Sequence, residues 1–348
     1  MTKKRRKKKK MRLKVKNFII LVVFICLIFV IGSKIMNNDE KFSDNNKIKS
    51  VFSNRKNEEK KKQEKLLNEY NKCLTEKYNE KDNTDVLNDK ISKLDSYIYS
   101  KYRASVYYED INTGFSYKYK EEQEYYGASL IKIVEAMYLL DEAEKGNVDL
   151  ENTKIKYESK YKADFSKGMK TRKIGEEVSL KDLIEYAVTY SDNSAHFMLS
   201  NYIGTSNLRE YAKGLGATKI SVTSGDTFGN QNTVDMNIYL HHAYEIINSK
   251  TKYSDFLKKI MLNDDTNALN LTDSDNIIIA HKYGQYDTYY HDVGIAFYDE
   301  PYYVSIMTSH GRGKYIEIVN DISKKINELH NIFHEERQKR CHLDVYGS

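Results

Sequence analysis

Tyr125-Tyr126-Gly127-Ala128-Ser129-Leu130-Ile131-Lys132 opens a segment that continues through Ile133, Val134, Ala136, Met137, Leu139 and Leu140. Apolar residues fall on nearly every side of it, the pattern of a helix buried all round. Two polar residues stand at its start, Ser129 and Lys132. A spacing of three sets them on the same face of one helical turn. Burial disfavours a charged ammonium, so a buried lysine loses basicity and can act as a base. A serine hydroxyl becomes a nucleophile when a neighbouring base takes its proton. The pair is therefore a candidate activated nucleophile. The spacing alone decides little, because Ser53/Lys56 and Ser159/Lys162 repeat it in polar, charge-rich surroundings.

Working outward, the segment sits inside a chain of 348 residues with a formal charge of +6. Residues 3–16 carry eleven Lys/Arg and no acid, and subtracting them leaves −5 for the remainder. A nucleic-acid partner is thus not expected for the folded part. Phe18 to Ile31 are fourteen consecutive apolar residues. Fourteen is short of the roughly 20 that span a bilayer, but Lys34 can snorkel and extend the segment to Met36. No good signal-peptidase site follows, so 18–36 reads as an uncleaved signal anchor. The lysines before it put 1–17 in the cytoplasm as a basic arm that can touch membrane lipid, and everything after it outside the cell membrane. Residues 37–84 are charged, with no persistent apolar stripe, and read as a solvated stalk. Cys26, Cys73 and Cys341 are odd in number and far apart, so neither a disulfide framework nor a zinc site is expected. His281 and the pair His241-His242 suggest no metal site either, and no cofactor is implied.

The folded domain is expected over 85–333, before a polar tail at 334–348. Val86, Leu87, Ile91, Leu94 and Ile98 mark an amphipathic helix. Ala104–Ile111 and Phe115–Tyr119, joined by Asn112-Thr113-Gly114, read as a hairpin. Further helices are expected after Ser179, a plausible N-cap, and at Ser206–Gly214 and Val234–Asn248. Ile277–Tyr283, Asp292–Tyr298 and Tyr302–Thr308 read as strands. Ile318, Val319, Ile322, Ile326, Leu329 and Phe333 mark a closing helix. Strands at both ends and helices between them imply an α+β fold (an α/β sandwich). In it an antiparallel sheet is flanked by the N- and C-terminal helices, with an inserted all-helical lobe. A cleft between the two is the expected site.

Two further motifs follow the first in order. Ser191-Asp192-Asn193 ends a predicted helix 62 residues after Ser129, and Lys282-Tyr283-Gly284 lies on a predicted strand 91 residues later. Ser43-Asp44-Asn45, Ser274-Asp275-Asn276 and Lys173-Ile174-Gly175 show that each piece recurs by chance. Only one combination has all three in order on suitable elements. It resembles the class A serine β-lactamases and the related penicillin-binding D,D-peptidases, whose signature is Ser-x-x-Lys, Ser-Asp-Asn and Lys-Thr-Gly or Lys-Ser-Gly.

The resemblance implies a serine hydrolase forming an acyl-enzyme on Ser129 with a β-lactam or a peptidoglycan peptide. Lys132 would accept the Ser129 proton and Ser191 would relay it to the leaving nitrogen. Asn193 would bind a substrate amide, and Lys282 would add positive charge near Ser191 and the substrate carboxylate. Gly284 would leave room for substrate along the strand. The N–H groups of Ser129 and Gln285 would form the oxyanion hole. Asp192 reads as structural. Two departures stand out. Tyr283 replaces the small hydroxyl residue that binds the substrate carboxylate. The interval between the second and third motifs holds only Glu210 and Glu245 as glutamates, neither in the setting of the family's deacylating base. Asp226, in the loop Ser224–Asn230, is the only nearby carboxylate. Slow deacylation is the expectation. A D,D-peptidase, or a non-catalytic binding domain on the same fold, are the alternatives.

Overall fold

The computed structural model describes residues 45–264, 268–269, 277–309 and 315–347. The basic arm and the expected anchor at 18–36 lie outside them, as does Cys26. Among the described residues, no helix is long and apolar enough to cross a membrane. The chain divides into two units, Met1–Lys65 and Leu66–Ser348. The described part of the first belongs to helix α1 (Asn45–Thr75).

The second unit carries α2 (Asp85–Lys101), β1 (Ala104–Asp110), β2 (Ser116–Tyr119) and β3 (Tyr125–Tyr126). There follow α3 (Ile131–Glu144), β4 (Lys154–Lys156), β5 (Glu177–Ser179), α4 (Leu180–Thr189), α5 (Asn193–Ile203) and α6 (Thr205–Leu215). Next are β6 (Asn230–Gln231), α7 (Thr233–Asn248), α8 (Ser254–Leu262), β7 (Ile278–Tyr286), β8 (Tyr289–Phe297) and β9 (Tyr302–Ser309). The chain closes on α9 (Tyr315–Tyr346). Local chemistry sets several of these starts. Thr84 caps α2 by accepting from Leu87 N at 3.2 Å, and Ser179 caps α4 by accepting from Asp182 N at 3.1 Å.

Five strands form one antiparallel sheet in the order β2-β1-β9-β8-β7. Side chains alternate across it. Val106, Tyr108, Tyr290, Tyr302, Val304 and Ile306 pack with Leu87, Leu94 and Ile98 of α2 and with the apolar stripe of α9. Ala280, Val293, Ile295, Tyr303 and Met307 face the other way and join the core of the helical lobe, α3 to α8. The expected architecture is therefore observed. The lobe departs from it in detail, since it carries the short pairs β3–β6 and β4–β5 and the unanticipated α5 and α8.

Three expectations are corrected at the ends of the domain. Cys73 and Cys341 form a disulfide. The globular unit begins at Leu66 rather than Asp85. The segment 334–348 is no loose tail, because α9 runs unbroken to Tyr346. These rest on a few residues in otherwise polar sequence. The buried Arg337 donates to Asp82 Oδ2 at 2.9 Å, to Leu74 O at 3.1 Å, to Cys73 O at 3.0 Å and to Glu76 O. It thereby satisfies carbonyls left open where α1 ends. Tyr78 packs against Phe115 and Phe333. The bridge closes a loop with a sequence separation of 268, and such cross-links typically stabilise by about 2–4 kcal/mol.

His291 on β8 is fully buried and ties the sheet to the segment before Ser129. Its Nε2–H donates to Tyr126 O at 2.8 Å, and its Nδ1 accepts from Thr308 N at 3.1 Å. Both ring nitrogens are thus used in the neutral form. Burial pushes its pKa down to about 4. An unfolded histidine titrates near 6.5, so between those values the unfolded chain binds a proton that the folded chain does not. Stability is therefore full above about 6.5 and falls as pH drops toward 4, by up to about 3 kcal/mol from this residue. Urea midpoints at pH 7 and pH 4.5 test this. The drop should shrink in His291→Gln, and an equal drop in both proteins would remove His291 as a source.

Candidate active site

The turn carrying Ser129 is held on two sides. Gly127 N donates to Gly229 O at 2.8 Å, Tyr125 and Tyr126 pair with Gln231 and Asn230, and His291 holds Tyr126 O. Between these anchors the chain makes a short 3-10 turn, Ala128–Leu130, before α3 begins. Ala128 is left-handed at φ +48°, a conformation that costs an L-residue about 1–2 kcal/mol. Gly284 on β7 explains how the turn lies so close to the sheet. A Cβ there would meet Gly127 O at 2.7 Å, Leu130 Cγ at 3.2 Å and Ser129 N at 3.3 Å. The glycine therefore admits the Ser129 turn to the strand, and the space a Cβ would take is filled by that turn.

Lys132 is fully buried one turn on. Its Nζ donates to Ser129 Oγ at 2.8 Å, to Ser191 O at 2.6 Å and to Asn193 Oδ1 at 2.8 Å. Burial first, and then the charge of Lys282, hold its pKa well below the ordinary lysine value. Ser191 is left-handed at φ +51°, in the turn between α4 and α5. That turn is braced by Asp192, which accepts from Ala195 N at 2.9 Å and from Met169 N at 2.8 Å. The structural reading of Asp192 agrees with this. Ser191 Oγ is buried and lacks a hydrogen-bond partner among the described residues. Asn193 spends its amide oxygen on Lys132 and one amide hydrogen on Asp164 O at 3.1 Å, leaving the second hydrogen.

β7 is an edge strand, and the third motif sits on it. Tyr283 N points off the free edge to Asp264 Oδ2 at 3.3 Å. Gln285, two residues on, directs its N–H off the same edge. Lys282 Nζ donates to Asp264 Oδ2 at 3.0 Å and to Tyr283 O at 3.0 Å. The charge expected to serve Ser191 and a substrate carboxylate is therefore neutralised by Asp264, an aspartate the sequence reading passed over. Burial raises the Asp264 pKa despite the neighbouring Lys282. The Tyr283 ring stacks on Tyr290 at 6.2 Å and packs against the core beneath α2 and α9, with Lys282 Nζ 4.2 Å from its centre.

A second buried network lies behind Lys132. Glu135 follows it on α3, and its Oε2 lies 2.9 Å from His196 Nδ1. His196 Nε2 lies 2.8 Å from Thr227 Oγ1. With the carboxylate ionised and the ring neutral, Nδ1–H donates to Glu135 and Thr227 donates to Nε2. A carboxylate in a helix apolar on every side was the signal available for it. Phe228 packs against His196 in a tilted arrangement with ring centres 4.4 Å apart, and Lys132 Nζ is 5.7 Å from the Phe228 ring centre. The loop holding Thr227 and Phe228 thus reaches the Ser129–Lys132 pair. Asp226 in that loop accepts from Phe228 N at 3.0 Å and from Gly229 N at 3.2 Å, the contacts of a turn-bracing residue. Tyr126, Tyr286 and Phe228 add an aromatic wall near the turn.

Residues 87–329 match the profile of the Beta-lactamase enzyme family. Similar solved structures include an acyl-enzyme complex of a PBP-A mutant with penicillin G, 17% identical, with a TM-score of 0.64 over 70% of this chain and 97% of that one. The TLA-3 extended-spectrum β-lactamase is 20% identical, with a TM-score of 0.62 over 69% and 98%. A β-lactamase from Chitinophaga pinensis is 21% identical, with a TM-score of 0.60 over 70% and 97%. No curated protein matches the sequence. With most of the chain matched and the β-lactamase fold around Ser129 and Lys132, this protein belongs to the β-lactamase family of serine hydrolases.

Proposed function

We propose that Ser129 is an acylating nucleophile toward β-lactams or cell-wall peptides, and that its acyl-enzyme is cleared slowly. The observation that carries the reading is Lys132 Nζ at 2.8 Å from Ser129 Oγ in a fully buried setting. In the neutral amine the same contact reverses, so that Ser129 donates to the lysine lone pair and gains nucleophilicity as the proton moves. Ser191 Oγ, buried and unbonded among the described residues, is the group available to pass the proton on. The N–H groups of Ser129 and Gln285 would hold the developing oxyanion.

Slow clearance is supported by the carboxylates around Lys132. Glu135, Asp192 and Asp264 are the acidic groups that act on its charge. Each side chain is buried and already paired through one oxygen or both, Glu135 with His196, Asp192 with its turn and Asp264 with Lys282, while Glu135 Oε1 and Asp264 Oδ1 have no hydrogen-bond partner among the described residues. No carboxylate there stands unpaired and solvent-accessible to activate a deacylating water. A D,D-peptidase or penicillin-binding role is the second reading. The Lys282–Asp264 pair favours a third, a non-catalytic binding domain, since it removes a positive charge from the site.

The N-terminal sequence supports a single-pass anchor with the cytoplasm on the side of residue 1. The Cys73–Cys341 disulfide supports an extracytoplasmic domain, because such bridges persist in oxidising compartments.

Three measurements test these points. Intact-mass time courses of the full chain with a penicillin should show an adduct that persists in the wild type and is absent from Ser129→Ala. Rapid drug consumption would overturn slow clearance, and no adduct would overturn β-lactam acylation. The acylation rate should rise with pH as Lys132 loses its proton and level off well below 10.5, while Lys132→Arg, which stays charged, should fall by about 10²–10⁴-fold. A midpoint at the ordinary lysine value would remove Lys132 as the base. In whole cells, Cys73 and Cys341 should react with maleimide only after reduction, and free thiols at both would argue for a cytoplasmic domain.

A further inference from the structure

On the sheet face opposite Ser129, β1 ends at Asp110 beneath α9. Two histidines project there from α9, His330 and His334, one turn apart. One ligating atom from each of the three residues lies within 4.8 Å of the others. His334 Nε2 is 2.8 Å from Asp110 Oδ2. Asp110 Oδ1 is occupied separately by Thr113 N at 2.7 Å and Thr113 Oγ1 at 2.6 Å, which fixes the carboxylate and leaves Oδ2 facing the histidines.

His330 supplies the observation that points to a ligand. The residue is 1% exposed. Its Nδ1 lies 2.8 Å from Tyr108 Oη, yet its Nε2 is buried and without a hydrogen-bond partner among the described residues. A buried ring nitrogen left open is unfavourable, because it has lost its water without gaining a partner. The Asp110–His334 pair is complete without His330, so an ion pair alone gives this nitrogen nothing to do.

We propose that Asp110, His330 and His334 form a binding site for a borderline divalent cation of the zinc class, which closes α9 against the β1–β2 hairpin. Imidazole and carboxylate are the ligands such an ion takes at about 2.0–2.2 Å, in a tetrahedron whose corners lie roughly 3.4 Å apart. Small side-chain shifts bring the three atoms to that spacing. With His330 Nδ1–H donating to Tyr108 Oη, the Nε2 lone pair is free to ligate, and the tyrosine fixes the ring as outer partners of metal-bound histidines do. His334 is partly exposed, so the fourth position opens toward solvent. The cysteine and histidine spacings of the sequence suggested no metal site; this one joins residues separated by 220 positions in the chain, beyond the reach of any spacing rule.

The test is metal titration of the full chain, purified in mild detergent and stripped with a chelator. One equivalent of Zn²⁺ should bind tightly enough to survive dialysis, and His330→Ala should weaken binding by about 100-fold or more. His241→Ala and His242→Ala should leave it unchanged. X-ray absorption of the wild type at the zinc edge should show two imidazoles with oxygen ligands, a result that does not depend on the variants folding. Retention of less than one equivalent, or binding unchanged in His330→Ala, or a sulfur-containing first shell, would overturn the site.

Discussion

A lysine ammonium taken wholly out of water is tolerated only when its surroundings supply acceptors in the right directions. Lys132 is in that position, and much of the molecule is arranged to meet its demands. One acceptor comes from the turn just before its own helix, Ser129, and two come from where α4 gives way to α5, Ser191 O and Asn193 Oδ1. The turn must be strained to present them, and Ser191 is left-handed. Asp192 holds that strained turn by capping α5 and gripping Met169 N. The burial that makes the lysine expensive to charge also holds its pKa well below the ordinary value.

The sheet meets this helix through a missing side chain. Lys282 and Gly284 share one face of β7, and only the absence of a Cβ at Gly284 lets the Ser129 turn approach the strand. Lys282 brings a second positive charge toward Lys132. Asp264 compensates it in turn. Two lysines and their acids thus form a charge-balanced centre in which each acid already has a partner.

The architecture was legible because it follows from periodicity. The apolar segment after Ser129, the hairpin at Ala104–Tyr119 and the three late strands all occur near their expected bounds. The site was legible in its motifs and less so in its pairings. Ser129, Lys132, Ser191 and Asn193 come together. Tyr283 packs beneath α2 and α9 because its neighbours Lys282 and Gly284 hold the opposite face, a parity readable from the strand register once the strand is known. Asp264, Glu135, His196 and Thr227 left weaker marks, since each acquires meaning only from a partner distant in sequence. The ends of the domain were misread for a related reason. Between Leu66 and Asp85, and after Phe333, the chain is polar on average, and its attachment rests on Tyr78, Asp82, Arg337 and two cysteines.

Those two cysteines also change what the domain is as an object. Residues 73 and 341 bracket both cores and every motif. The polypeptide between them is covalently a ring, with 72 residues attached before it and seven after it. A protease that cuts one surface loop of the ring yields no free fragment, since both pieces stay joined through the bridge. A pull applied through the N-terminal arm passes at Cys73 into Cys341 on α9. The strand and turn around Ser129 lie outside that line of force.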